Sequence, residues 1–247
     1  MNFSDKSYIL LNVVESTNNY ANQLIMSKEA EEGTVVLACF QEKGRGQRGN
    51  SWESEKGKNL LASIILFPGF LGAEKQFVVS KIVCLALYDF LISEIPDVSI
   101  KWPNDLYIGN KKIAGILIEN GVKGRNIYSS VLGIGLNLNQ ENFISGAPNP
   151  VSLKQITGEN YDINDVAGKV VSLVFKWYEK LKEGNFEYID SMYLDRLFRK
   201  NVWGVFKKGN VGFEAKIIGI GEFGQLILEE RNGNISEFMF KEVEFVI

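Results

Sequence analysis

A glycine-arginine segment, Gly44-Arg45-Gly46-Gln47-Arg48-Gly49, holds residue types from which an anion site can be built. Three glycines let backbone N–H groups turn toward one point, and two guanidinium forks add donors that match phosphate oxygens. The same letters spell G-x-G-x-x-G, and they fall one residue short of a P-loop, with Asn50 in the lysine's place. A dinucleotide site needs the last glycine to open a helix, whereas this loop runs on through Trp52 and Gly57 into a β-like stretch. A P-loop needs a cation bridging the terminal phosphates, and asparagine brings none. Between Gln41 and Trp52, Lys43, Arg45 and Arg48 face a single acid, Glu42, in a chain of net charge −3. The local field therefore opposes the global one. Chance arginines in a solvated surface loop are the other reading of the same residues.

A second group follows. Lys101-Trp102-Pro103-Asn104-Asp105 ends one β-like run, and Lys112 and Gly115 lie in the next. If 106–108 pairs with 111–119 across Gly109-Asn110, then Lys101, Asp105 and Lys112 fall around one hairpin and can converge on one cleft. An ordinary charged hairpin is the alternative. Gly115 inside a strand pattern suggests close approach by a ligand or another backbone. The chain contains no histidine and only two cysteines. That excludes histidine-based nucleophile activation, His-zinc sites, a four-thiolate zinc site and the histidine a kinase catalytic loop needs. Chemistry here must use Lys, Arg, Asp, Glu, backbone amides or a hard metal such as Mg²⁺.

Tyr8 to Val14 predicts a strand, and Ser16 or Thr17 can cap a helix whose apolar side is Ala21, Leu24 and Ile25 and which Gly33 ends. Residues 34–41 and 59–67 predict strands, and Ala73 to Glu94 predicts a buried helix, apolar nearly all round. Residues 97–102, 112–120 and 126–140 are β-rich, with "GVKGR" joining the last two. Val166, Val170, Leu173, Val174, Trp177 and Leu181 keep helical spacing over 164–182, and 185–200 predicts a further helix. Beyond Asn201 come short strands split by turn residues, with Asn232-Gly233 as a hairpin signal. This is a mixed α/β domain over 1–200 followed by a small β module over 201–247. With 27 basic and 30 acidic side chains, overall charge gives no case for a nucleic-acid binder. Cys39 and Cys84 read as buried free thiols in a reducing cytoplasm. No apolar run is expected to approach the roughly 20 residues of a membrane helix, and no signal peptide is read at the N-terminus.

Several stretches, in this order, resemble the biotin protein ligases, also called biotin–[acetyl-CoA-carboxylase] ligases. They are Glu15-Ser16-Thr17-Asn18, Gln41 before Gly44-Arg45-Gly46, Trp52, Lys101 to Asp105, Lys112-x-Ala114-Gly115-Ile116 and Gly133-x-Gly135-x-Asn137. Each piece is weak alone; the ordered set is specific and spans nearly the whole chain. The resemblance implies an α+β fold, a mixed sheet flanked by helices (class II synthetase-like), with a small C-terminal SH3-like β-barrel. It implies an enzyme that forms biotinyl-5′-AMP from biotin and ATP with Mg²⁺, then passes biotin to one lysine of the biotin carboxyl carrier domain of a biotin-dependent carboxylase. Ser16, Thr17, Asn18 and Gln41 would then meet the biotin ring. Gly44, Arg45, Gly46 and Gln47 would also line the biotin side, with Arg45 against the α-phosphate and the acyl oxygen, and Lys112 would hold the biotin carboxylate. Gly115 and Gly133 would allow close packing. Lys101, Asn104, Asn137, Trp52 and Arg48 would line the nucleotide side. Asp105 would orient the nucleotide-bound Mg²⁺ or the incoming amine, making Arg45, Lys112 and Asp105 the catalytic set. The loop 43–58 would close over the intermediate.

Many members read Gly-Arg-Gly-Arg, where this chain has Gln47; the expectation is that Arg48 supplies part of the missing charge or that the adenylate is held less tightly. The resemblance is to the subgroup without an N-terminal DNA-binding domain, so neither nucleic acid nor membrane is expected as a partner. Exposed strand edges would allow a homodimer. Lipoate–protein ligase, or a non-catalytic biotin sensor, are the competing readings. A sensor would not need Arg45, Lys112 and Asp105 together.

Overall fold

The computed structural model describes residues 7–144 and 149–246, apart from the Arg48 side chain. The chain runs β1 (Tyr8–Leu11), α1 (Thr17–Ser27), β2 (Val35–Ala38), β3 (Leu60–Leu66), α2 (Phe77–Glu94), β4 (Val98–Lys101), β5 (Asp105–Ile108), β6 (Lys111–Lys123) and β7 (Asn126–Leu136). Then follow α3 (Leu153–Thr157), α4 (Ile163–Lys182), α5 (Phe186–Asp195) and five strands, β8 (Trp203–Lys208), β9 (Val211–Ile220), β10 (Leu226–Glu230), β11 (Ile235–Phe238) and β12 (Glu244–Phe245). The first seven strands form a mixed sheet in the order β1-β2-β3-β7-β6-β5-β4. Only β1 and β2 pair in parallel; the other neighbours are antiparallel.

Both faces of this sheet are covered, and the sequence shows why. All seven residues of β3, "LLASIIL", are buried, and a strand hidden on both sides reads as a continuous apolar run. Alternate residues go to opposite faces. Val35, Leu37, Ile64 and Leu66 join a core with α2 and α4, whereas Val36, Ile65 and Val131 pack with Ala21 and Leu24 of α1. The stripe expected on α4 faces that core: Val166, Val170, Val174, Trp177 and Leu181 are all buried. Asp162 caps this helix by accepting from Asp165 N at 2.9 Å. Burying side chains of this size contributes about 1.5–3 kcal/mol each.

Several expectations need correction. Helix α1 ends at Ser27, not near Gly33, because Lys28 turns left-handed (φ +62) and directs its N–H to Ile25 O. Ser16 does occupy the N-cap, but its side chain makes no capping bond. Cys39 is exposed, since the chain is already leaving the sheet after β2; Cys84 is buried in α2 as expected. The segment Ala73–Glu94, 22 residues with an 18-residue window of mean hydropathy 1.6, is long and apolar enough to cross a membrane, against the expectation of no such run. Two thirds (67%) of its apolar window is buried inside this fold, between the sheet and α4 and α5.

The C-terminal strands form a separate antiparallel sheet in the order β11-β10-β9-β8-β12. β10 and β11 make the hairpin expected at Asn232-Gly233, with Gly233 at φ +85. This sheet does not stand off from the rest. Phe206, Ala215, Ile217, Leu226, Leu228 and Phe238 belong to the same apolar cluster as α2 and α4. Trp102 Nε1 donates to Gly224 O at 2.8 Å, and the Trp102 ring meets Phe240 edge-on at 6.1 Å.

Candidate active site

Register places the site on the α1 face of the large sheet. One cross-strand row runs Leu61, Gly135, Gly115, Asp105, Lys101 across β3, β7, β6, β5 and β4. The next row holds Ser63, Gly133 and Leu117. The glycines make a trough where other strands carry side chains. A Cβ on Gly135 would run into the Trp52 indole, and one on Gly115 would lie 2.9 Å from the same ring and 3.2 Å from Lys112 Nζ. A Cβ on Gly133 would strike Asn18 Oδ1.

A β-bulge brings Lys112 onto this row. Tyr107 pairs with Lys112 but Leu106 pairs with Ala114, so Ile113 is an extra residue. In a regular strand, residues three apart point to opposite faces; the bulge sets Lys112 and Gly115 on the same one. Lys112 Nζ then lies 2.7 Å from Asp105 Oδ1 and 5.7 Å from the Trp52 ring centre. The Lys112 backbone is fixed on its other side, accepting from Val151 N at 2.9 Å and donating to Asn149 O at 2.9 Å.

The glycine-arginine loop folds back on itself. Gly46 N donates to Asn50 O and Trp52 N to Gly44 O, while Gln47–Gly49 forms a single 3₁₀ turn. Arg45 lies 2.8 Å from Glu119 Oε1 and donates to Asn19 Oδ1 at 2.7 Å. At the base of the loop, Gln41 Oε1 accepts from Thr17 N (2.8 Å) and Thr17 Oγ1 (3.0 Å). Ser63 Oγ lies 2.8 Å from Thr17 Oγ1 and 2.6 Å from Asn18 Oδ1. The far limb is tied down by buried Gln140, whose Oε1 accepts from Glu55 N (2.9 Å) and Asn59 Nδ2 (2.6 Å).

One cavity of about 770 Å³ gathers these parts. Ser16, Thr17, Asn18, Gln41, Arg45, Gly46, Gln47, Trp52, Lys101, Asn104, Asp105, Lys112, Gly115, Gly133 and Asn137 all line it. Gly44, an expected site residue, does not belong to that lining. Gly44 lies behind it, where a Cβ would meet the Trp52 carbonyl and approach Gln41 Nε2 to 3.3 Å. The side chain of Arg48 lies outside the described residues. Asn104 and Asn137 are buried and hold neighbouring backbone: Asn104 donates to Ile116 O, and Asn137 to Val151 O at 3.1 Å. The Lys101 ammonium donates to Tyr107 Oη at 3.2 Å and lies between the rings of Tyr107 and Phe245. Burial holds it below the usual lysine range; Asp105 opposes that shift, while Lys112 and Arg199 add to it.

The family model for the Biotin/lipoate A/B protein ligase family matches residues 10–137, about half of the chain. The biotin–[acetyl-CoA-carboxylase] ligase of Paracoccus denitrificans is 31% identical over 229 residues, covering 87% of this chain and 90% of that protein. This chain belongs to the biotin/lipoate A/B protein ligase family. The bifunctional ligase/repressor BirA of Bacillus subtilis (strain 168) is 30% identical over 90% of this chain and 69% of its own length. Among solved structures, biotin protein ligase from Aquifex aeolicus in complex with biotin and ATP superposes with a TM-score of 0.79 at 28% identity, covering 97% of this chain and 99% of that one.

Sequence reasoning did not single out several residues that line the cavity or bond to the segments around it. Ser63 and Glu119 complete the polar array between Gln41 and Arg45. Gln140 ties down the loop. Phe240, Val243 and Phe245 bring the second sheet into the wall, beyond the span of the family match. The aromatic-rich C-terminal run was the available signal for the last group. For Ser63 and Glu119 no local signal existed, because a serine in a strand and an acid in a hairpin are ordinary.

Proposed function

We propose that this protein is an ATP-dependent biotin ligase that forms biotinyl-5′-AMP and transfers the biotinyl group to a lysine of a biotin carboxyl carrier domain. The single observation that carries the reading is that Arg45 and Lys112, from separate segments, line one cavity. Both halves of the reaction are acyl or phosphoryl transfers that need anions brought together and developing charge stabilised, with no protein nucleophile.

In this reading, Lys112 takes the biotin carboxylate and Arg45 the α-phosphate. A carboxylate oxygen attacks the α-phosphorus and pyrophosphate leaves. The carrier's neutral lysine amine then attacks the acyl carbon, AMP leaves, and the amine gives up a proton. Asp105, 2.7 Å from Lys112, orients that amine or the Mg²⁺ that enters with the triphosphate. Among the described residues no three His, Cys, Asp or Glu side chains cluster as a metal site, which is consistent with the metal arriving as part of the nucleotide. Gln41, Thr17, Asn18 and Ser16 hold the ureido ring, and Lys101, Asn104, Trp52 and Asn137 hold the nucleotide. The loop 43–58 excludes water that would hydrolyse the mixed anhydride. The small C-terminal sheet completes the nucleotide wall.

The test is mass spectrometry of a purified carrier domain after incubation with this protein, ATP and biotin. One lysine gains the mass of a biotinyl group, and lipoate in place of biotin gives no product. A carrier left unmodified, or modified by lipoate, would overturn the reading.

A further inference from the structure

We infer that Glu119 is the positioning residue that sets both the ring-binding and the phosphate-binding ends of the cavity, an inference that rests on the ligase reading above. Its carboxylate is the meeting point of two segments far apart in sequence. Oε2 accepts from Asn18 Nδ2 at 2.9 Å and from Asn22 Nδ2 at 3.2 Å, and Oε1 lies 2.8 Å from an Arg45 nitrogen. Asn18 and Asn22 are one turn apart on α1, so they present their amides on one face. The other arm of Arg45 reaches Asn19 on the same helix. Glu119 thus clips the glycine-arginine loop and α1 to the middle of β6.

An exposed ion pair by itself contributes little, and the Arg45 side chain is 42% exposed. The company of Glu119 argues for more. Asn18 is only 3% exposed, with Ser63 Oγ 2.6 Å from its Oδ1 and Gly133 beneath it. Apart from Glu119, its Nδ2 has only Leu117 O among the described residues, at 3.3 Å. Without the carboxylate, the Asn18 amide is held by Ser63 Oγ and by the longer contact to Leu117 O, and it loses its short acceptor on Nδ2. Glu119 also neutralises Arg45 before an anionic substrate arrives. It keeps the guanidinium in reach of the cavity, and an incoming phosphate draws one arm away while Glu119 stays held by Asn18 and Asn22.

The two ends separate in two substitutions. In Glu119→Ala, both Asn18 and Arg45 lose their partner. In Glu119→Gln, the amide oxygen still accepts from Asn18 and Asn22, but the charge that holds Arg45 is gone. The assay is biotin-dependent exchange of labelled pyrophosphate into ATP, begun with wild-type protein. The expected result for Glu119→Ala is KM for biotin up and kcat down, each about 10-fold. Glu119→Gln restores KM to within about 3-fold of wild type while kcat stays low. Adding Arg45→Ala to Glu119→Ala lowers kcat by less than its effect on wild type, because the two act as one unit. If Glu119→Ala does not fold, as judged by its thermal melt, the Gln variant decides: near-normal KM with reduced kcat supports the inference. Wild-type kcat in either variant overturns it, as do equal KM values in the two or strictly additive effects with Arg45→Ala. No exchange in wild-type protein would instead overturn the ligase reading, and this inference with it.

Discussion

The two sides of the cavity differ in how completely their polar groups are paired. On the side of Gln41 and Ser63, a chain of close contacts runs from Gln41 through Thr17, Ser63 and Asn18 to Glu119 and Arg45. On the side of Trp52 and Asn137, buried Gln47 Oε1, Trp52 Nε1 and Asn137 Oδ1 have no hydrogen-bond partner among the described residues. An unpaired buried donor or acceptor costs about 1–3 kcal/mol, so the second side carries an energetic penalty that the first does not. A paired network of this kind is rigid, which suits the ring-binding role proposed for it. The aromatic and glycine surfaces of Trp52, Gly115 and Gly135 supply shape on that second side where hydrogen bonds are lacking.

The sharpest way to break this contrast is to fill the trough. Gly135→Val forces the Trp52 ring off the sheet, and overpacking of this kind typically costs about 1–3 kcal/mol. Its expected effect is loss of adenylate formation by about 100-fold or more with a smaller fall in melting temperature; full activity would show that Trp52 is not seated there in the working enzyme. Ser63→Ala attacks the paired side. It removes the hydroxyl between Thr17 and Asn18, and KM for biotin should rise about 10-fold with KM for ATP nearly constant. Equal effects on both KM values would show that the two sides do not divide the ligands.

Gln47→Arg sharpens the unpaired side. An orphan amide oxygen suits a donor, and meeting a phosphoryl oxygen requires the amide to turn over. Arginine in its place should slow release of the biotinyl-adenylate several-fold, measured by filter retention of labelled intermediate. An unchanged off-rate would remove position 47 from control of retention. The smallest effect concerns Lys101. Its folded-state value is lowered by burial, so the folded protein binds that proton less tightly than the unfolded chain. The resulting cost is present below the folded value and is relieved as pH rises through it toward the unfolded value. Lys101→Met should therefore melt about 1–3 °C higher at neutral pH, with the gain shrinking as pH approaches 10. A gain that does not change with pH would refute this assignment.

Much of this architecture was legible in the chain. The runs "TVVLACFQ" and "NLLASIILF" announced strands, and the spacing of Val166 to Leu181 announced an amphipathic helix. Gly115 and Lys112 stood out as unusual residues in a strand pattern, and they meet at the site. What stayed hidden depends on long-range register. No local pattern reveals that Ile113 is an extra residue, yet the bulge it makes is what turns Lys112 toward Gly115. Ser63 and Glu119 gain meaning only when β3 and β6 lie on either side of β7. Cys39 looked buried because its neighbours are apolar, but the chain leaves the sheet one residue before it. Charge pairing was invisible too: Arg45 and Lys112 each already have a carboxylate partner, which composition alone could not assign.

The proposed reaction needs cations from two separate segments to act on one carboxylate and one triphosphate in a shared cavity. Biotin-dependent exchange of labelled pyrophosphate into ATP, compared between wild type, Arg45→Ala and Lys112→Ala, tests it most directly. Wild-type protein should show exchange, and each single variant should lose it by about 100-fold or more. Wild-type exchange rates in both variants, or exchange that does not depend on biotin, would contradict it.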